Sequence, residues 1–339
     1  MAPQATSVRV ILTGVRSTTH LVYAASWLRT LLGTGVPVEV VVLDVGAGFG
    51  HARVDEVQVR HYLPDDPAMT LTTRVLPEHW LVAPGVERVL LSIGAPGTRA
   101  WSRLVLAGRG RRPGVVVVDE GLGSFGDVRA RREAYRREGG RGPWPAVRAA
   151  VVSTGHHVLT GLHWSLYRRA EQGWEVVPEV AEEFRLRVDG SARVPGAAVY
   201  LTQPWPDIGV MSERAYLDHL SAVRDACARA GLELLLRPHP SESPSRYQDF
   251  ALTAGTGPAE LDREVTQASV VVGSNSTALL NLAAVHGTWA VRVTAPELTP
   301  LEVALTERQR TLLDTFLPAP VSVDGLPSAL RIGWSDGRA

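Results

Sequence analysis

Short, continuous apolar runs punctuate this chain, each closing on a polar or glycine-containing loop and most followed by a helix-length segment. The first runs through residues 8–12 and passes Thr13-Gly14 into an apolar, helix-like stretch at 20–32. The next, 38–43, ends in Asp44 and a glycine-rich loop, and 89–93 and 115–118 repeat the form. Valine-rich runs without polar alternation suit strands of a parallel sheet buried on both faces. Strands alternating with helices predict a doubly wound α/β domain.

Between residues 171 and 195 the chain turns polar, acidic and irregular, which predicts an inter-domain linker. A second α/β series follows it. Residues 199–202 read as a strand and 203–206 as a loop, with a helix from Ser212 through 230. The strand at 232–236 ends in Arg237-Pro238-His239-Pro240. The strand at 270–272 ends in Gly273-Ser274-Asn275-Ser276-Thr277, ahead of a helix at 278–285 and a strand at 290–293. The expectation is two Rossmann-like doubly wound domains, residues 1–175 and 190–325, facing a central cleft in the GT-B manner. In open parallel sheets ligands bind outside the carboxyl ends of the strands. Polar clusters fall at such ends here.

Composition excludes several classes of chemistry. The 339 residues exceed a typical single domain of roughly 100–200, and 45% hydrophobic with 21% charged residues describes a globular chain. A formal net charge of zero argues against broad electrostatic binding of nucleic acid or a membrane. All 35 basic residues are arginine. That removes the P-loop, which needs its lysine, and Schiff-base catalysis, which needs an amine. The single cysteine, Cys227, excludes an intrachain disulfide and a cysteine-rich metal site. Its helix-like surroundings predict a buried, inert thiol. No stretch approaches the ~18 apolar residues of a membrane span, and residues 1–9 lack a signal-like apolar region. A cytoplasmic protein is expected.

Each of the clusters has a chemical and a plainer reading. Asp119-Glu120-Gly121 follows a buried strand, where a carboxylate can take the proton of a hydroxyl. It also reads as an ordinary turn. In extended chain the two carboxylates point opposite ways, so one is expected to face the cleft. In Arg237-Pro238-His239-Pro240 the prolines restrict the backbone and hold the imidazole in one place, where it can donate to a phosphate oxygen. Ser274, Ser276 and Thr277 open a helix, a position that suits an anion and equally an ordinary N-cap.

In combination these clusters resemble the bacterial sialyltransferases, most closely their polysialyltransferase-like branch. Asp119-Glu120-Gly121, His239-Pro240 and Ser276-Thr277 carry the likeness, with looser matches at Thr202-Gln203-Pro204 and residues 260–280. The resemblance spans most of the chain. It implies an inverting glycosyltransferase that moves a sialic acid or related nonulosonate from its CMP donor to an acceptor hydroxyl. Asp119 would be the general base, with Glu120 as the alternative. His239 would contact the CMP phosphate and assist its departure, with Pro240 beside it. Ser274, Ser276, Thr277 and Gln203 would complete the donor site, and Glu260 would take the ribose hydroxyls. The donor carries one phosphate and the chain has no Asp-x-Asp motif, so neither a metal nor another cofactor is expected. The acceptor would be a glycan, a glycolipid or a small molecule.

Other features stay outside this reading. Residues 99–148 hold twelve arginines against five acidic residues, which suits either a track for an anionic polymer or a solvated surface. His156, His157 and His163 lie near Trp164 and Tyr167 without a zinc-binding spacing, and read as cleft-lining or interface residues. The glycines at 46–50 lack the G-x-G-x-x-G spacing. The rival readings are a CDP-alditol phosphotransferase of the teichoic-acid type, a UDP-sugar epimerase, and a nucleotide-sugar-binding protein without turnover. Asp119-Glu120-Gly121 favours the glycosyltransferase.

Overall fold

The valine-rich runs fold into the parallel strands their pattern predicts, in a computed structural model that describes residues 6–335 other than 44, 46, 47, 50, 51, 138 and 191–195. The glycine-rich loop after the second strand therefore lies largely outside the described residues. The chain divides into two units. One comprises Met1–Arg136, Gly140–Arg168 and Val177–Glu183, the other Arg137–Gly139, Arg169–Val176 and Phe184–Ala339.

In the first unit, β1 (Ser7–Thr13), β2 (Val38–Val42), β3 (Met69–Thr72), β4 (Val86–Ile93), β5 (Gly114–Val118) and β6 (Leu162–Trp164) form one sheet. Its order is β3-β2-β1-β4-β5-β6, and every pairing is parallel. This is the Rossmann order, in which the winding reverses between β1 and β4. Val10, Ile11 and Leu12 are fully buried in succession, as a central strand covered on both faces requires. Ile11, Leu90, Val115 and Val117 pack with Trp80, Ala100 and Leu104 on one side of the sheet. Gly14 and Gly94 follow the two strands at the reversal, with φ of 84° and 69°. Only glycine takes that conformation without strain.

The second unit repeats the scheme with β7 (Ala197–Leu201), β8 (Glu233–Arg237), β9 (Val270–Gly273), β10 (Ala290–Thr294) and β11 (Val321–Ser322). The order is β8-β7-β9-β10-β11, again all parallel. The winding reverses between β7 and β9. Tyr200, Tyr216, Leu220, Val223, Leu236 and Tyr247 belong to its core. Cys227 is buried there too, and burial pushes its thiol up to about 12, so it is inert at neutral pH.

Within residues 171–195, which span boundaries between the two units, the described chain is not irregular. Gly173–Val176 is a strand and Pro178–Leu186 a helix, and Trp174, Val180, Ala181 and Phe184 are buried. The apolar positions recur at helical spacing, but Glu179, Glu182 and Glu183 among them give the segment an acidic composition that hides the stripe. Glu183 is itself buried, with Oε2 2.5 Å from Nε of Arg29. Of the expected linker, residues 191–195 lie outside the described residues.

Candidate active site

In the second unit the polar clusters gather at the carboxyl ends of three neighbouring strands. Thr202 and Gln203 follow β7, His239 and Pro240 follow β8, and Ser274, Ser276 and Thr277 follow β9. Because β7 pairs with both β8 and β9, the loops flank the point where the winding reverses. That is where an open α/β sheet takes its ligand.

The His239 loop is built from the backbone upward. Leu201 pairs with Arg237, and the Thr202 N–H donates to the Arg237 carbonyl at 3.0 Å. This sets the Thr202 hydroxyl under the next turn, where its oxygen accepts the His239 N–H at 2.9 Å. On the ring, Nδ1 accepts the Ser241 backbone N–H at 3.2 Å and lies 2.7 Å from the Ser241 hydroxyl. A backbone N–H can only donate, so Nδ1 carries no proton in the neutral ring and Nε2 does. Burial holds the imidazole below its usual pKa, with the nearby Glu242 opposing it. The outcome at neutral pH is an uncharged ring with its one N–H fixed on Nε2, a directed hydrogen-bond donor.

Glu242 organises this loop and was not singled out in the sequence. It is 3% exposed. Its Oε2 accepts the Thr202 hydroxyl and the His239 N–H. Its Oε1 accepts the Tyr247 hydroxyl at 2.7 Å and Arg246 at 3.0 Å. Arg246 also forks onto Asp207, at 2.6 and 3.1 Å, and the Asp207 hydrogen bond is the first cause of its raised pKa. The only sequence trace of this network is the Glu242–Arg246 spacing of four around a short turn.

A second buried charge fixes the strand end itself. Arg237 is 5% exposed and pairs with Asp262 at 2.9 Å. It also donates to Thr253 and to the carbonyls of Gly255 and Gly257. Burial lowers its pKa and Asp262 counters. Asp262 in turn accepts the Glu264 N–H at 2.9 Å. Gly255 has no room for a Cβ, which would run into Asp262. The arginine of Arg-Pro-His-Pro is thus a clasp on residues 253–264.

Ser274 and Ser276 are each 6% exposed. Ser276 stands at the N-cap of the helix Thr277–His286, yet its side chain makes no cap hydrogen bond. The ordinary capping role is therefore not what its hydroxyl does. Gln203 donates its backbone N–H to the Tyr216 hydroxyl at 2.9 Å, and Pro240 is exposed. Glu260 does not follow a strand, but its charge acts on Arg237 at the end of β8. It is 5% exposed in the short turn Ala259–Leu261 that packs on the helix Thr277–His286.

In the first unit Asp119 and Glu120 follow β5 and diverge, as extended chain dictates. Asp119 is fully buried and Glu120 is exposed. Asp119 Oδ1 lies 3.0 Å from Nε2 of His163 on the neighbouring strand. Burial raises the Asp119 pKa, while the hydrogen bond and charge of His163 work against that rise. The Glu120 carboxylate folds over Gly94, where a Cβ would collide with it. Ser17 caps the helix Thr18–Leu32 and accepts the His20 N–H. His20 is buried and pushed down to about 4, first by burial and then by Arg16, so it is neutral. Several arginines of residues 99–148 are structural: Arg103 stacks on Trp80, Arg148 on Tyr135, and Arg131 donates to Ser153.

Among the described residues no group of three or more His, Cys, Asp or Glu is placed to hold a metal ion. None of their helices is long and apolar enough to cross a membrane.

No protein-family model matches this chain, and no curated protein matches it. Among solved structures it is similar to the UDP-GlcNAc 2-epimerase from Methanocaldococcus jannaschii, with a TM-score of 0.54 and 12% identity over 98% of this chain and 94% of that one. It is also similar to the 2,6-sialyltransferase of Photobacterium sp. JT-ISH-224 in complex with CMP and lactose. There the TM-score is 0.52 and the identity 10%, over 94% of this chain and 78% of that one. At such identities the likeness speaks for the fold, and with the two Rossmann-like sheets it establishes the chain as an α/β protein of the GT-B type.

Proposed function

We propose that the protein is an inverting, metal-independent glycosyltransferase that moves a sialic acid or related nonulosonate from its CMP donor to an acceptor hydroxyl. The observation that carries the reading is the His239 loop. A neutral imidazole with its proton fixed on Nε2 follows β8, and the Ser274 and Ser276 hydroxyls follow β9, with β7 between the two strands. Such a donor set suits one phosphate group whose charge grows as the glycosidic bond breaks.

In this reading the C-terminal domain expected from the sequence, residues 190–325, holds CMP, with Gln203, Pro240 and Thr277 around the phosphate and Glu260 toward the ribose. The N-terminal domain expected from the sequence, residues 1–175, receives the acceptor, and the base function resides at Asp119-Glu120. Attack on the anomeric carbon by one oxygen, with the CMP phosphate leaving from the opposite face, inverts the centre. A monophosphate leaving group carries less charge than a diphosphate, so His239 and the hydroxyls suffice without a cation. The sialyltransferase among the structural relatives supports the reading through its fold and its CMP. The test is release of CMP from CMP-sialic acid in EDTA, with CDP-glycerol and UDP-GlcNAc as competing donors. Preference for either competitor refutes the CMP-sugar assignment.

A further inference from the structure

The Asp119 carboxylate is too enclosed to meet an acceptor directly: its side chain is 1% exposed, against 30% for His163. The sheet explains their meeting. Val117 of β5 pairs with His163 of β6, so those two side chains share a face, and Asp119, two residues beyond Val117, shares it too. The result is the 3.0 Å contact between Oδ1 and Nε2. The other ring nitrogen, Nδ1, makes no hydrogen bond among the described residues and is not shut off from solvent. His156 lies edge-on to the ring, with centroids 5.6 Å apart.

We infer that His163 is the catalytic base and that Asp119 is its positioning residue. The inference rests on the transferase reading above and refines which atom receives the proton. With Asp119 ionised, its Oδ1 accepts the Nε2 proton, which leaves the lone pair on Nδ1. As the acceptor oxygen bonds to the anomeric carbon, its O–H bond breaks and the proton passes to Nδ1. The bond from the anomeric carbon to the phosphate oxygen breaks and CMP departs with the electron pair. The imidazolium left behind faces the Asp119 carboxylate and later returns its proton to solvent. Asp119 thus acts through His163, and its burial serves to hold one tautomer.

The experiment follows CMP release from CMP-sialic acid with water as acceptor. It compares the wild type with His163→Ala, Asp119→Asn and the double variant. A general base contributes roughly 10²–10⁴-fold, so His163→Ala should lose at least about 100-fold, and added imidazole should restore part of it. Asp119→Asn should lose a comparable factor without rescue, and the double variant should lose little more, as residues acting as a unit do. Nitrogen NMR of the labelled ring supplies a readout independent of turnover: Nε2–H in the wild type, and a shifted tautomer balance in Asp119→Asn. An Nδ1–H ring in the wild type overturns the inference. So does a His163→Ala variant within about twofold of a wild type that turns over. A wild type that releases no CMP counts against the donor reading, and the tautomer then decides the dyad alone.

Discussion

Replacing Glu242 with glutamine changes one oxygen to an amide of the same shape, and four donors converge on that group. Thr202 and His239 donate to Oε2, Tyr247 and Arg246 to Oε1. Whichever way the amide turns, its NH2 faces two donors, each of which loses one acceptor. A hydrogen bond to a charged group contributes about 1.5–3 kcal/mol, and breaking a buried ion pair costs about 3–5 kcal/mol. Arg246 keeps its fork on Asp207, which offsets part of the loss, so a net cost of about 2–4 kcal/mol follows. In a unit of 150–250 residues each kcal/mol moves Tm by roughly 2–4 °C. Calorimetry of Glu242→Gln should therefore show the second unit melting roughly 5–15 °C lower. The His239 N–H also loses an acceptor, so CMP should protect the variant less than the wild type. A Glu242→Gln protein that melts within about 1 °C of wild type with full CMP protection would refute the network as drawn.

Two further substitutions separate function from stability. Asp119 has a raised pKa in the fold, so its contribution to stability is present below the unfolded value and is lost as pH rises through the folded one. Asp119→Asn should then gain in Tm relative to wild type at pH 8 compared with pH 4, while losing activity, and a difference that does not grow with pH argues against burial as the cause. Asp262→Ala removes the ion-pair partner of the buried Arg237, at about 3–5 kcal/mol less whatever Glu260 and Glu264 offset. Denaturant unfolding should report that loss, and a cost below about 1 kcal/mol would mean that Thr253, the carbonyls of Gly255 and Gly257 and the nearby Glu260 and Glu264 hold the arginine without it.

The sheets were legible in the sequence because valine-rich runs buried on both faces leave a continuous signal. Residues 8–12, 38–43, 89–93 and 115–118 stand within or beside β1, β2, β4 and β5. The helix Pro178–Leu186 was not, since its carboxylates dominate a composition window, and Glu183 is a charged residue that is nonetheless buried, paired with Arg29. At the candidate site the strand-end residues were legible as polar breaks after apolar runs. Glu242 was not, because a carboxylate in a turn reads as solvated until Tyr247 and Arg246 fold back on it and Thr202 arrives from 40 residues away. The Asp119–His163 contact was hidden for the same reason. It depends on the pairing of β5 with β6, across 44 residues of sequence.

Turnover of CMP-sialic acid by wild type and His239→Ala, in EDTA, tests the central claim most directly. The account predicts CMP release by the wild type that survives chelation, and a loss of about 100-fold or more in His239→Ala, the scale of removing one preorganised donor at a developing charge. Equal rates in the two proteins, or release only when a divalent cation is restored, would contradict it.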